Sequence, residues 1–295
     1  MPEASVTIRM PEAPSPELLV ASFAPRAPDI EPSPASVEPS PKSRPGFRRV
    51  EHIMGTAITA DIRDENLVPV TLDPAFALLR DVDARFSTYR WDSEISRIVR
   101  GELAPEHASD DVRFILALCD DLQRASGGAF DAWRHRADGH LDPSGVVKGW
   151  AVEEAAWAIE AAGARNYLLN AGGDIVVRGA PEPRRRWRIG IRHPYRGDRL
   201  ATVLEMSSGA IATSGAYERG QHIRDPRSGN VPAELVSVSV IGPSLTYADA
   251  YATAAYVLGV EGLAWVASHP GYGAYGITAD DRVLWTPTVG PLIAR

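Results

Sequence analysis

The chain has 295 residues, of which 44% are hydrophobic and 23% are charged, and its formal net charge at pH 7 is −7. This composition is that of an ordinary globular protein, and the length suits a single α/β unit or two lobes. The negative charge argues against a general nucleic-acid binder, because only a local basic patch could then meet the phosphates. The single cysteine, Cys119, excludes an internal disulfide framework and any zinc site built from several thiolates.

The first 45 residues differ in composition from the rest of the chain. They hold 11 of the 24 prolines and a single aromatic residue, Phe23. Such a stretch cannot bury enough apolar surface to offset the entropy lost on ordering, so we predict that it is disordered. We therefore divide the chain into a Pro-rich tail, residues 1–46, and one folded unit, residues 47–295. The absence of a secretory signal or a bilayer-length apolar run predicts a cytoplasmic protein with no membrane span.

The folded unit begins with a strand pattern and continues with two helices. Residues 52–62 alternate as in a strand that contains a glycine. Apolar residues follow at helical spacing over 73–89 and 111–128, and the second helix ends in two glycines that suit a C-cap. Cys119 lies on the apolar face of this second helix, which predicts a buried core thiol.

The second half of the chain mixes strands and helices without a repeat of 20–50 residues, which predicts an α+β fold. The arginine-rich stretch before residue 200 alternates with apolar residues, so it is expected to be a solvated strand face and not a nucleic-acid site. The predicted elements are a helix over 148–164, a strand–glycine turn–strand unit over 166–179, strands over 186–193 and 234–242, a helix over 246–259 and a hairpin over 274–286.

The segment "LDPSGVVKGWAVEEA", residues 141–155, places Asp142 and Lys148 on either side of Ser144-Gly145, just ahead of the third helix. A lysine at this position suits a phosphate site, because its positive charge can neutralise a phosphate. The amides at the N-terminus of the following helix also bind anions. The familiar motifs fail on spacing. There is no P-loop here, no GxGxxG follows a strand, and Ser144 and Lys148 are one residue too far apart for SxxK.

Asp249 and Thr253 lie four residues apart in a predicted helix, so that a carboxylate and a hydroxyl share one face. Two hard oxygens side by side suit Mg²⁺, which takes few protein ligands and fills its other positions with water and phosphate oxygens. In the alternative interpretation, Asp249 caps the helix and Thr253 bonds a carbonyl one turn back.

Four further polar positions stand out. His222 and Asp225 lie in a turn-rich loop, where a histidine could act as a general base near neutral pH or be an ordinary surface residue. Asp131 follows a glycine pair and an aromatic residue that could stack on a ring. Asp174 follows a glycine turn, for which close approach of the backbone is the expected role.

Eight short segments, taken together and in order, resemble the ApbE-type FAD:protein FMN transferases. The likeness runs from about Val50 to about Gly276, and its strength lies in the order and spacing of the segments. They are "MGT", "RFSTYRWDSEISRI", "GGAFD", "LDPSGVVKGWAVEEA", "NAGGDIVVRG", "AIATSGAYERG", "HIRDPRSG" and "DAYATA".

The resemblance implies a T-fold-related unit of mixed or antiparallel sheet flanked by helices. It also implies a Mg²⁺-dependent transferase that moves FMN from FAD to a Ser or Thr hydroxyl of an acceptor flavoprotein and releases AMP. His222 would be the catalytic base, with Asp225 the next candidate. The implied metal ligands are Asp249, Thr253 and the backbone carbonyl of Gly145. The implied FAD-binding residues are Met54, Tyr89, Ala129, Phe130, Asp131, Asp142, Lys148 and Ile223.

Two loops are shorter than in the better-known members of the family. Ten residues separate Asp131 from Asp142, and only Gln221 separates "AYERG" from "HIRDP". The first loop could shape the adenine side and the second the acceptor channel. Two alternatives therefore stay open beside the transferase: a non-catalytic FAD-binding protein, and an FAD pyrophosphatase that uses water as acceptor.

Overall fold

The computed structural model has an α+β fold in which a large antiparallel sheet separates a layer of helices from a two-stranded sheet. It describes residues 19–21, 46–134, 136, 138–196, 199–215 and 223–294. The strands are β1 (Leu19–Ala21), β2 (Phe47–Ile53), β3 (Thr56–Ile62), β4 (Tyr167–Ala171), β5 (Asp174–Arg178), β6 (Trp187–Arg192), β7 (Leu200–Met206), β8 (Ser208–Gly215), β9 (Leu235–Gly242), β10 (Gly273–Thr278) and β11 (Val283–Trp285). The helices are α1 (Asp73–Phe86), α2 (Glu94–Val99), α3 (Asp110–Ala125), α4 (Ser144–Ala161), α5 (Leu245–Leu258) and α6 (Val260–Ala267).

The large sheet has nine strands in the order β1-β11-β10-β9-β8-β5-β4-β3-β2, and β6 pairs with β7 in the second sheet. Both faces of the large sheet are buried, because alternate side chains of a strand point to opposite sides. In β5, Val176 belongs to the core that contains the helices, whereas Ile175 and Val177 belong to the core that contains β6 and β7. The large sheet is therefore held by packing on both of its faces.

Helices α4 and α5 pack against each other and against the sheet. Both are rich in alanine, which favours helix formation and keeps the side chains small. Neither has a continuous polar stripe, and most of their positions are buried. A helix that is apolar around most of its circumference belongs in the interior, so these two helices can bring polar groups of the site into a fixed relation.

Most of the predicted elements are confirmed, and two boundaries are corrected. The strand predicted over 52–62 is a hairpin, since Met54 and Gly55 form a turn between β2 and β3 with positive φ at both residues. Helix α4 begins at Ser144 and not at Lys148, so the lysine lies inside the helix. Cys119 is buried on α3 as predicted, and burial raises the pKa of its thiol to about 12.

Five elements were not predicted: α2, α6, β7, β8 and β1, the last of which lies in the stretch predicted to be disordered. The two helices are only 6 and 8 residues long. Helices this short do not show a recognisable helical periodicity in the sequence. Strand β8 contains glycine, alanine and serine, which are poor strand formers, and tertiary contacts hold it between β5 and β9. Strand propensity alone therefore predicts fewer strands than the structure contains.

The Pro-rich segment contributes one short strand. Residues 19–21 form β1, which pairs antiparallel with β11 at the edge of the large sheet. The rest of residues 1–45 lies outside the described residues, and the boundary at residue 46 stays a prediction. Within the described ranges, no helix combines the length and apolar character that crossing a membrane requires.

Candidate active site

Three cavities meet at Lys148, close to the N-terminal end of α4. The small cavity, of about 70 Å³, lies between α4, α5 and β8. The α1 cavity, of about 530 Å³, lies beside the end of α1 and the β2–β3 turn. The β6 groove, of about 790 Å³, runs between the β3, β4 and β8 region of the large sheet and β6. Lys148 is the residue that all three share.

Asp142 shapes the beginning of α4. Its carboxylate accepts a hydrogen bond from the N–H of Ser144 at 3.0 Å, and its own N–H donates to the carbonyl of Ala132 at 2.7 Å. The first turn of a helix has N–H groups without helical partners and a partial positive charge. Because Ser144 and Gly145 are in this turn and line the small cavity, that cavity suits an anion.

Lys148 forms an ion pair with Asp174, with 2.7 Å between Nζ and Oδ2. The lysine side chain is 20% exposed and the aspartate side chain is 1% exposed. Asp174 is the first residue of β5, directly after the Gly172-Gly173 turn. A carboxylate this deeply buried requires a charge partner. The sequence predicted only close approach of the backbone at Asp174, although an acid that opens a buried strand after a glycine turn is a signal for a buried ion pair.

Asp249 links α5 to α4. Its Oδ2 accepts a hydrogen bond from the backbone N–H of Gly149 at 2.9 Å. Gly149 is required for this contact, since a Cβ at that position would lie 2.7 Å from the Cβ of Asp249 and 2.6 Å from the carbonyl oxygen of Leu245. Asp249 therefore does not cap its own helix, which answers the alternative raised for this residue.

The cap of α5 comes from Glu153, a buried residue of α4. Its carboxylate accepts hydrogen bonds from the N–H groups of Leu245 and Thr246, both at 3.1 Å, and from the hydroxyl of Ser244 at 2.7 Å. Gly149 and Glu153 are four residues apart on α4, so both face α5. The spacing of Gly149 and Glu153 is visible in the sequence, but no local pattern indicates that their partner is the N-terminus of α5.

The small cavity fits a hard cation such as Mg²⁺. Asp249 is 4% exposed and lines this cavity together with Thr253, and a Cβ placed on Gly145 would lie 3.3 Å from the Thr253 hydroxyl. The three residues implied as ligands are thus neighbours. In the described ranges, no cluster of three His, Cys, Asp or Glu residues could hold a metal. A cation here would take further ligands from water and phosphate oxygens, as Mg²⁺ usually does.

The segment from Ala129 to Asp131 forms another wall of the small cavity. Asp131 is buried, and its carboxylate accepts hydrogen bonds from the Gln123 side chain at 2.6 Å and the Trp133 N–H at 2.8 Å. Phe130 is held by a hydrogen bond from its N–H to the Ser126 hydroxyl at 2.9 Å. These contacts fix the segment before any ligand binds.

Met54 and Tyr89 line the α1 cavity. Met54 has a φ of 53°, which is uncommon for a residue with a side chain and is typical of functional turns. The Tyr89 side chain is 94% exposed, so its ring has a free face on which a planar ligand could stack. The structure thus separates the predicted FAD residues into two groups on either side of Lys148.

Asp225 lies in a turn at residues 223–230. Its carboxylate accepts hydrogen bonds from Arg227 Nε at 2.9 Å and from the Ser228 hydroxyl at 3.2 Å, and Arg227 lowers the pKa of this carboxyl. Ile223, at the start of the turn, lines the small cavity. His222 lies outside the described residues. Its role as a base stays a prediction, as does that of Asp225.

Comparison with known proteins gives one family. The model of the ApbE family matches residues 54–134 and 132–275. The FAD:protein FMN transferase of Haemophilus influenzae is 26% identical over 295 aligned residues, which cover 78% of this chain and 85% of the relative. The protein of the same name from Treponema pallidum is 36% identical over 163 residues, which cover 48% of this chain and 45% of the relative.

Solved structures show the same fold. The flavin transferase ApbE from Vibrio cholerae has a TM-score of 0.74 at 24% identity, with coverage of 84% of this chain and 100% of that chain. The ApbE protein from Thermotoga maritima has a TM-score of 0.74 at 20% identity, with coverage of 85% of this chain and 100% of that chain.

Proposed function

Because the chain belongs to the ApbE family, with a match that spans residues 54–275, we propose that it transfers FMN from FAD to an acceptor protein. The acceptor group is a Ser or Thr hydroxyl, Mg²⁺ is required, and AMP is released. One observation carries the proposal: Lys148 lies where three cavities meet, and the small cavity is also lined by the buried Asp249 and the half-buried Thr253. A positive charge that can bind phosphate, ligands for a cation and two adjoining cavities therefore lie close together.

In the proposed reaction, the hydroxyl oxygen of the acceptor attacks the phosphorus of the FMN half of FAD. A new P–O bond forms, the P–O bond to the AMP half breaks, and AMP leaves with the electron pair. The hydroxyl proton passes to a base of the protein. Such phosphoryl transfers depend mainly on positioning and on neutralising charge.

The residues of this chain supply both the positioning and the neutralisation of charge. Lys148 places a positive charge beside the pyrophosphate, and Asp174 holds the lysine in position before the substrate arrives. Ser144 and Gly145 add the positive end of the α4 dipole. Asp249, Thr253 and the Gly145 carbonyl would hold Mg²⁺, which when bound neutralises charge on the pyrophosphate and on the leaving AMP.

Most of the residues proposed to contact FAD line either the small cavity or the α1 cavity. Ala129, Phe130, Asp131 and Ile223 would contact one half of the molecule, and Met54 and Tyr89 the other half. Asp142 contributes indirectly, since it shapes the first turn of α4. His222 is the proposed base. Asp225 is the weaker candidate, because its pKa is lowered and its oxygens already accept hydrogen bonds from Arg227 and Ser228.

The proposal is tested by incubating the full chain with FAD, Mg²⁺ and a candidate acceptor protein. Intact mass of the acceptor and chromatography of the nucleotides are then measured. Transfer gives one AMP for each FMN attached to the acceptor. Release of AMP with free FMN would show hydrolysis by water, and binding of FAD without AMP release would show a non-catalytic flavin-binding protein.

A further inference from the structure

The β6 groove is the largest of the three cavities, and the proposed function leaves it unused. Met54 and Tyr89 line the α1 cavity, and the proposed cation ligands line the small cavity. Of the residues assigned to FAD or the cation, only Lys148 lies among those that line the β6 groove in the described part of the chain. The β6 groove is therefore a third cavity that reaches the same lysine and contains none of the other assigned residues.

One wall of this groove is the edge of a strand. Residues 189–192 of β6 line the groove, while no described residue of β7 does. In the part of the chain that the structure describes, β6 pairs with β7 alone. Half of the N–H and C=O groups of a strand point away from its neighbour, so β6 presents backbone donors and acceptors to the groove over about 13 Å.

The groove carries positive charge at this edge. Arg192 is exposed and lines the groove, and it has no acidic partner among the described residues. Arg188 is exposed on the same face of the same strand, but it does not line the groove, and Glu205 lies 3.7 Å from its guanidinium. Lys148, which is paired with the buried Asp174, lies on the other side of the groove. A ligand with negative charge is favoured by this arrangement.

We propose that the β6 groove binds the acceptor protein through an extended segment that adds to the free edge of β6. Acidic side chains of the segment lie near Arg192, and its Ser or Thr lies near Lys148, where the hydroxyl meets the FAD pyrophosphate. This inference rests on the proposed function, which requires a protein hydroxyl at that point. Strand addition gives affinity through backbone hydrogen bonds and leaves selectivity to the side chains.

The test uses the full-chain protein with FAD and Mg²⁺ and three short, fluorescently labelled peptides of β-branched composition. The first has one threonine flanked by aspartates, the second has lysines in place of the aspartates, and the third is the aspartate peptide with N-methyl groups on alternate backbone nitrogens. Fluorescence anisotropy gives the affinity of each peptide. The aspartate peptide should bind most tightly, and N-methylation should weaken it because strand pairing needs the N–H donors.

Charge reversal identifies the position on β6. Arg192→Glu should weaken the aspartate peptide by at least about tenfold and should bind the lysine peptide more tightly than the unmodified protein does. Arg188→Glu is the matched control, because it makes the same charge change on the same face of the strand outside the groove. It should leave both affinities within about twofold, since Arg188 lies outside the groove and salt screens exposed charges at a distance. FAD affinity should be unchanged in both variants.

Hydrogen exchange locates the peptide independently of affinity. Addition of the aspartate peptide should slow amide exchange in residues 187–192. The inference is overturned if this peptide does not bind, if the two charge reversals weaken it equally, or if protection appears at another strand edge, such as β2.

The same samples separate this inference from the proposed function. A peptide that protects β6 but gains no FMN contradicts the transferase and supports the groove. A peptide that gains FMN without protection of β6 supports the transferase and contradicts the groove.

Discussion

The junction of α4 and α5 and the turn at residues 223–230 border the same small cavity, but they are held in different ways. At the junction, Asp249 and Glu153 make hydrogen bonds to residues 91 to 100 positions away in the chain. In the turn, Asp225 bonds to Arg227 and Ser228, which are two and three positions away. The junction depends on the whole fold, whereas the turn depends mainly on its own sequence.

This difference matches the chemistry proposed for each region. A cation and a pyrophosphate need ligands at fixed positions, and buried groups with satisfied hydrogen bonds supply such positions. Of the described residues of the turn, Ile223 lines the small cavity, and a locally stabilised turn can move without opening the core. We therefore expect changes at the junction to affect metal dependence and stability, and changes near the turn to affect pH dependence.

The largest effect is expected from Asp249→Ala. Loss of the carboxylate ligand should abolish turnover and make any residual AMP release independent of Mg²⁺. Thr253→Ala should be milder, because water can replace a neutral hydroxyl. The measurement is the rate of AMP release across a Mg²⁺ series. An Asp249→Ala protein with unchanged Mg²⁺ dependence would contradict the assignment of the metal site.

His222→Ala tests the region next to the turn at residues 223–230. Removal of a general base should slow transfer by about 10²–10⁴-fold and leave FAD affinity unchanged, because the base acts on the acceptor hydroxyl. The pH–rate profile should lose an ionisation near neutrality. If FAD affinity falls while the rate on bound FAD stays the same, His222 is a cofactor-pocket residue, and Asp225 becomes the next base to test.

Lys148→Met should weaken FAD binding by about tenfold or more and lower the free energy of unfolding by about 2–4 kcal/mol. The stability loss is expected because Asp174 stays buried without its cation. The double variant Lys148→Met, Asp174→Leu is the control, since it removes the stranded carboxylate. It should recover most of the stability in urea titrations but none of the FAD affinity. Recovery of both would show that the lysine has only a structural role.

Glu153→Ala should lower the free energy of unfolding by about 2–3 kcal/mol, since it leaves the N-terminal N–H groups of α5 without their buried acceptor. Glu154→Ala removes the same charge from the neighbouring position, where the carboxylate accepts a single hydrogen bond from Trp150. That variant should lose less than about 1 kcal/mol. Equal losses in chemical denaturation would argue against the helix cap.

The smallest effect is expected from Asp225→Asn. Arg227 lowers the pKa of Asp225 below its ordinary value of 3.8. The ionised carboxylate therefore stabilises the turn above pH ~4, and this contribution is lost as the pH falls through the lowered pKa. Asp225→Asn should be slightly less stable than the unmodified protein at neutral pH and equally stable near pH 2. A difference that persists in acid would show that the hydrogen bonds do not depend on the charge.

Local patterns predicted most of the elements because they contain the cause of those elements. The apolar face of α3 with Cys119, the glycine turn between β4 and β5, and the hairpin of β10 and β11 are all specified by neighbouring residues. The hairpin of β2 and β3 escaped prediction because Met54 adopts a positive φ, which residue type alone rarely indicates. Helix α4 began early because Asp142 engages the N–H of Ser144.

The amino-acid sequence by itself determined the family, through the order and spacing of eight segments, and with it the candidate residues Lys148, Asp249 and Thr253. Only the tertiary structure decided how these residues work together. The partner of Lys148 is Asp174, the cap of α5 comes from Glu153, and the free edge of β6 faces the lysine. The physical reason is that a buried charge or an open strand edge is satisfied by whatever the fold brings near it, and residues far apart in the chain carry no local pattern that names their partner.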